Sequence, residues 1–213
     1  MTHELPHDPP ADEHTRPPTH PRGRRPSRRL LFIFSCAIAA LTLAADVISK
    51  QLALHYLDTE SRIPLLGDIF GLQLAFNTGA AFSIGSQLTP FITLLGLVAS
   101  VALVRAALRT QHRIYAASIG LILGGALGNL ADRIFAPPGF GSGAVTDFLA
   151  YGQLFIGNIA DVAIGAGVAL YALGAWRLHA ASRTPAAIEP AIGDDAQPPT
   201  PDPVTTPAET TQP

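Results

Sequence analysis

Two aspartates, Asp147 and Asp161, stand at the edges of apolar segments in a chain with only 14% charged residues. An ionisable group at the rim of an apolar span is costly to bury, so it marks a functional site by default. Two carboxyls about 3 Å apart cannot both ionise, and they share a proton. One then acts as base toward a water and the other as acid toward a carbonyl oxygen. That chemistry hydrolyses an amide without metal or covalent intermediate. A proton-coupled transporter or an ion-binding site would use the same pair, and a scaffold would use such groups for helix packing alone. Spacing by itself leaves these alternatives open.

Other polar residues gather around the pair. Asn158 lies three residues before Asp161 and Asn129 four before Arg133, so each pair shares a helical face. Gly125 lies one turn before Asn129, and Arg133 offers a rigid donor fork for carbonyls or an acid. Asp132 reads as a mark of the water boundary. Asp46 and Lys50, four apart, form an ion pair at a helix end that anchors outer loops or meets substrate. Ser49 is no partner for Lys50 in catalysis, because adjacent helical residues point about 100° apart. Asn77 is a polar handle between Phe76 and the small residues that follow. The single Cys36 excludes an internal disulfide and most cysteine metal sites, and its apolar surroundings predict a packing role. No metal or other cofactor is expected.

These residues need elements to hold them. Of 213 residues 48% are apolar, collected in long runs between charged borders, a membrane pattern. Four runs at about 30–48, 90–108, 114–130 and 159–175 approach the roughly 20 residues that cross a bilayer as helix. Pro90 suits the first turn of the second. The third carries Gly120, Gly124 and Gly128 at a spacing that lets another helix pack closely. Gly165 and Ala169 continue the row of Asp161, which predicts that this acid faces packed protein. Between the first two runs, residues 63–77 contain short β-prone pieces around Gly67-Asp68, predicting a small hairpin on the outer membrane surface. The stretch after Arg133, with Pro137-Pro138 and several glycines, reads as a loop.

The fold class predicted is therefore all-α, four transmembrane helices with an extracytoplasmic hairpin. Residues 30–180 form the membrane domain, flanked by a basic arm (1–29) and a Pro/Thr-rich tail (181–213), both disordered. The RGRRPSRR run before an apolar core also resembles a cleaved secretory signal, but three more spans follow and no small-residue cleavage site precedes Asp46. Arginines crowd the first border, the connection at 105–113, and the end of span four; the other side has only Lys50, Arg62 and Arg133. By the positive-inside tendency both termini are cytoplasmic and the acids lie near the outer face. The basic cluster adjoins a span, so orientation explains it and no nucleic-acid partner is expected.

Five segments carry a resemblance: DVISK (46–50), FNTGAAFS (76–83), GGALGNLADRI (124–134), VTDF (145–148) and GNIADVAI (157–164). In this order they resemble the lipoprotein signal peptidases, the signal peptidase II family of membrane aspartyl proteases. The resemblance implies Asp147 and Asp161 as catalytic dyad. It implies Asp46, Lys50, Asn77, Gly125, Asn129, Arg133 and Asn158 as supporting and substrate-contacting residues. It further implies a protein of the bacterial cytoplasmic membrane, working among membrane lipid; a monomer is expected. Its substrates would be prolipoproteins, cut just before a diacylglyceryl-modified cysteine. Where the family usually has Phe directly before the last Asn, this chain has Gly157, with Phe155 two residues earlier.

Overall fold

The computed structural model describes residues 26–79 and 88–183. Most of the predicted arm, nearly all of the predicted tail and the end of the NTGAAFS stretch lie outside these residues. The elements run α1 (Arg28–Tyr56), β1 (Ile63–Leu66), β2 (Phe70–Asn77), α2 (Thr89–Arg109), α3 (Arg113–Phe135), β3 (Val145–Tyr151), β4 (Phe155–Gly157) and α4 (Ile159–Arg183). All four helices are long and apolar enough to cross a membrane. They outrun the predicted spans, α1 by eight residues beyond Ile48, because amphipathic turns continue past the hydrocarbon-length run. Their outward faces carry large apolar side chains such as Leu41, Leu95 and Val168, as lipid requires. Cys36 is exposed on α1 among them, so it faces outward and does not pack the core as expected.

Helix α3 is the hub, and its glycines explain why. A Cβ at Gly120 would meet Ser35 O at 2.7 Å, and one at Gly124 would meet Ala39 O at 2.6 Å. One at Gly128 would collide with the Asp46 carboxylate. The contacts advance along both helices together, so α1 and α3 run parallel. On another face Gly125 lies against Ala160 of α4, and Ser118 donates to Gly167 O at 2.8 Å. Without water to drive association, helices in lipid pack through such close approaches and short polar contacts.

The sheet is larger than a hairpin. Four antiparallel strands stand in the order β1-β2-β3-β4, with β2 and β3 paired from Phe70↔Tyr151 to Asn77↔Val145. The stretch read as a loop thus supplies two further strands. Six consecutive residues of β3 are buried, so the alternation that reveals a half-exposed strand is missing. Beneath the sheet, Ala53 of α1 packs with Leu74, Phe148 and Leu149, with Phe70, Tyr151 and Ile159 at the border. This small core seats the sheet on the ends of α1 and α4. The segment after α3 folds back on the helix it leaves: Gly143 N donates to Arg133 O at 3.0 Å and Gly139 N to Ala136 O at 2.7 Å. A Cβ at Gly143 would press on the carbonyls of Asp132 and Ala136, so only glycine fits there. Thr93 of α2 donates to Gly141 O at 2.6 Å and fixes the loop from the other side.

Candidate active site

Asp147 reaches the site from the middle of β3, and Asp161 from the first turn of α4. Asn158, fully buried between them, joins the two. Its amide Nδ2 donates to Asp147 Oδ1 at 2.6 Å, while its Oδ1 accepts from Asp161 N at 3.0 Å. Its own backbone N donates to Asp161 Oδ2 at 3.2 Å, closing a reciprocal cap at the start of α4. Asn129 of α3 donates from Nδ2 to Asp161 Oδ1 at 2.9 Å and accepts from Asn158 Nδ2 at 3.1 Å. The two asparagines therefore fix both carboxyls through one connected set of bonds.

The set continues into α1. Lys50 is 2% exposed and Asp46 fully buried. Lys50 Nζ lies 2.6 Å from Asp46 Oδ2, 2.9 Å from Asp132 Oδ2 and 3.1 Å from Asn129 Oδ1. An ammonium has three donors, and all three are engaged inside the protein. Asp46 Oδ1 in turn accepts from Ala160 N at 2.9 Å, one of the unpaired donors of the α4 terminus. Lys50 and Asp46 thus tie α1 to α3 and α4. Asp132 does more than mark the water boundary: it takes the Lys50 charge and accepts Thr146 N at 3.0 Å, anchoring β3 one residue before Asp147. Its place three residues after Asn129 was the signal for this role.

An open cleft of ≈ 570 Å³ is bordered by Asp147, Asn77, Arg133, Gly79, Ile92 and Ile156, with Ala75 and Phe76. Asn77, at the end of β2, hydrogen-bonds the Asp147 carboxyl and accepts Gly79 N at 2.8 Å. Gly79 has φ of +89°, and a Cβ there would press on Ile92 at 2.7 Å and on Arg133 Nη1 at 3.3 Å. Among the described residues Arg133 Nη1 is buried without a hydrogen-bond partner, and the Arg133 charge acts on Asp147, Asp132 and Asp161. Burial pushes the Asp147 carboxyl up from 3.8 to about 6. Bonds from Asn77 and Asn158 oppose that rise, the Asp161 charge adds to it, and the Lys50 charge reduces it.

Asp161 departs from expectation. It is exposed, and so are Gly165 and Ala169 below it. Among the described residues no atom lies within 4 Å of a Cβ built on Gly165. The α4 residues that pack on α3 are Ala160, Ile164 and Gly167, a row at i, i+4 and i+7 that is offset from Asp161, Gly165 and Ala169. Gly157 also finds its reason: a Cβ there would sit 3.0 Å from Asp161 Oδ2 and 3.5 Å from the Phe155 ring.

A family model described as Signal peptidase (SPase) II matches residues 38–177. The lipoprotein signal peptidase of Rhodococcus jostii is 38% identical over 163 residues, 76% of this chain and 78% of that protein. That of Streptomyces coelicolor is 37% identical over 157 residues, 74% of this chain and 76% of that one. Two solved structures, both of a bacterial membrane enzyme studied by the in meso method, share the fold. One, at 2.3 Å resolution, has a TM-score of 0.61 at 24% identity, covering 70% of this chain and 92% of its own. The other, at 1.9 Å, has a TM-score of 0.59 at 25% identity, covering 66% and 90%.

Proposed function

The chain belongs to the signal peptidase II family, and from that premise we propose that it removes signal peptides from lipid-modified prolipoproteins as a membrane aspartyl endopeptidase. The observation that carries the proposal is Asn158, bonded at once to Asp147 and Asp161 beside an open cleft. One residue that bonds the Asp147 carboxyl through its side chain and the Asp161 carboxyl through its backbone N–H suits the shared-proton chemistry of aspartic proteolysis.

The roles follow from the surroundings. Asp147, buried and raised to about 6, is the acid that protonates the scissile carbonyl oxygen. Asp161 accepts N–H groups on both oxygens at the positive end of α4, an arrangement that suits a carboxylate. It takes a proton from the attacking water. Asn129 and Asn158 hold these orientations, and Lys50 with Asp46 and Asp132 holds the asparagines. Arg133 and Asn77 border the cleft where the extended peptide lies, with the unpaired Arg133 Nη1 available to a peptide carbonyl. Gly125 acts by letting α4 approach α3.

The substrate is itself an apolar segment bearing a lipid, so its scissile bond must meet water while its ends stay in hydrocarbon. The exposed row Asp161, Gly165 and Ala169 offers a lipid-side track along which such a segment reaches the acids. The site stands at the outer face of the cytoplasmic membrane, with both termini inside, and cleavage falls before the diacylglyceryl-cysteine. Residues 30–180 form the working domain, and one chain suffices. The direct test is incubation of the purified protein in detergent with a diacylglyceryl-modified prolipoprotein. Release of the signal peptide without an ion gradient supports the proposal; a requirement for a gradient, with no hydrolysis in detergent, points to a transporter.

A further inference from the structure

The end of the bundle remote from the aspartates carries an apolar groove of ≈ 440 Å³ between the start of α1 and the start of α3. Leu30, Ile33, Phe34 and Ala37 wall it, and Arg113 stands at its rim. Sixteen residues of α1 separate Leu30 from Asp46, roughly 24 Å of helix. Because α1 and α3 run parallel, their N-terminal ends lie side by side at this groove, each contributing the positive end of a helix dipole. Neither has an acidic residue in its first turn, and the α3 N-cap, His112, makes no capping bond through its side chain. Arg28, Arg29 and Arg113 are exposed, and among the described residues none has a hydrogen bond or ion pair through its side chain.

We propose that this groove is a binding site for an anionic diacyl phospholipid. One acyl chain lies along Ile33, Phe34 and Ala37. The phosphate meets the Arg113 guanidinium and the uncapped N–H groups at the start of α3, the standard anion position of a helix. Charge selects this occupant over the chain's own arm: the residues just before Pro26 read PRGRR, with three arginines and no large apolar side chain. On the orientation proposed above, the lipid belongs to the cytoplasmic leaflet. It braces the α1–α3 pair from the end opposite to Lys50.

Native mass spectrometry of the full chain, exchanged from detergent into phosphatidylglycerol or phosphatidylcholine of identical chains, reads the site. The wild type is expected to retain phosphatidylglycerol at least threefold more than phosphatidylcholine. Arg113→Ala removes that preference, Arg113→Lys keeps most of it, and Ala37→Trp, which fills the groove without changing charge, lowers retention of both lipids. Arg105→Ala, an equal loss of charge on exposed α2, leaves retention as in the wild type. Asp147→Asn also leaves it unchanged, so failure of the peptidase assignment and failure of this one are separable. Equal loss in the Arg105 and Arg113 variants, no lipid preference in the wild type, or equal thermal protection by inorganic phosphate would each overturn the proposal.

Discussion

Asn158 makes the clearest statement at the scale of single residues. Its side chain donates to the Asp147 carboxyl and accepts from Asp161 N, and its backbone N–H donates to the Asp161 carboxyl, so one residue restrains both acids. The raised Asp147 carboxyl has a consequence for stability. Ionisation is harder in the folded protein than in the unfolded one, so its contribution is full below about 3.8 and is lost as pH rises through about 6. Asp147→Asn lacks that loss. Denaturation in detergent should therefore find the variant gaining on the wild type by ~2 kcal/mol between about pH 4 and about pH 7; parallel curves would remove the burial argument. Lys50 gives a second test. Lys50→Met leaves Asp46 and Asp132 without their cation, and breaking a buried pair in this way costs about 3–5 kcal/mol. A large drop in melting temperature is expected, and an unchanged one would show that the three bonds carry little. The i, i+4 pairing of Asp46 with Lys50 is legible in sequence. The reach of Lys50 to Asn129 and Asp132 is not, because those bonds exist only once α3 lies beside α1.

Among the elements, the four helices and the β1–β2 hairpin were legible, and strands β3 and β4 were not. Hydropathy alone places all four helices, since a bilayer demands long apolar runs. The β1–β2 turn announces itself through Gly67, which has φ of +50°. Strand β3 is hidden because its residues are buried without alternation, flanked along its edges by β2 and β4 and in contact with α1 and α3. The small residues of α4 were misassigned for a related reason: sequence shows that a glycine is present, not which row meets a neighbour. The structure separates the two cases and yields a paired prediction. Gly124→Val forces a side chain into Ala39 O and Thr42, an overpacking worth about 1–3 kcal/mol or more, and should lower the yield of folded protein and its melting temperature. Gly165→Leu meets open space, should melt like the wild type, and should lower kcat/KM because it narrows the track beside Asp161. Equal melting temperatures for the two variants would contradict the packing assignment.

For the molecule as a whole, the architecture follows from one demand: a polar reaction centre must be held at the rim of a bundle that is apolar outside. Helix α3 supplies the axis, α1 and α4 flank it, and the sheet caps the end where the acids gather. On the orientation proposed from the basic residues at the other end, both termini lie inside. Epitope tags at both termini should then be digested only when the inner face of the membrane is opened to protease; digestion of either tag in intact spheroplasts would reverse the topology. The central claim is narrower, and one measurement reaches it. Asp147→Asn and Asp161→Asn proteins, shown by their melting curves to be folded, are incubated with a diacylglyceryl-modified prolipoprotein and the released signal peptide is quantified. Each variant is expected to lose at least about three orders of magnitude in rate, since neither acid can take over the other's proton transfer. Turnover near the wild-type rate in either one would contradict the account.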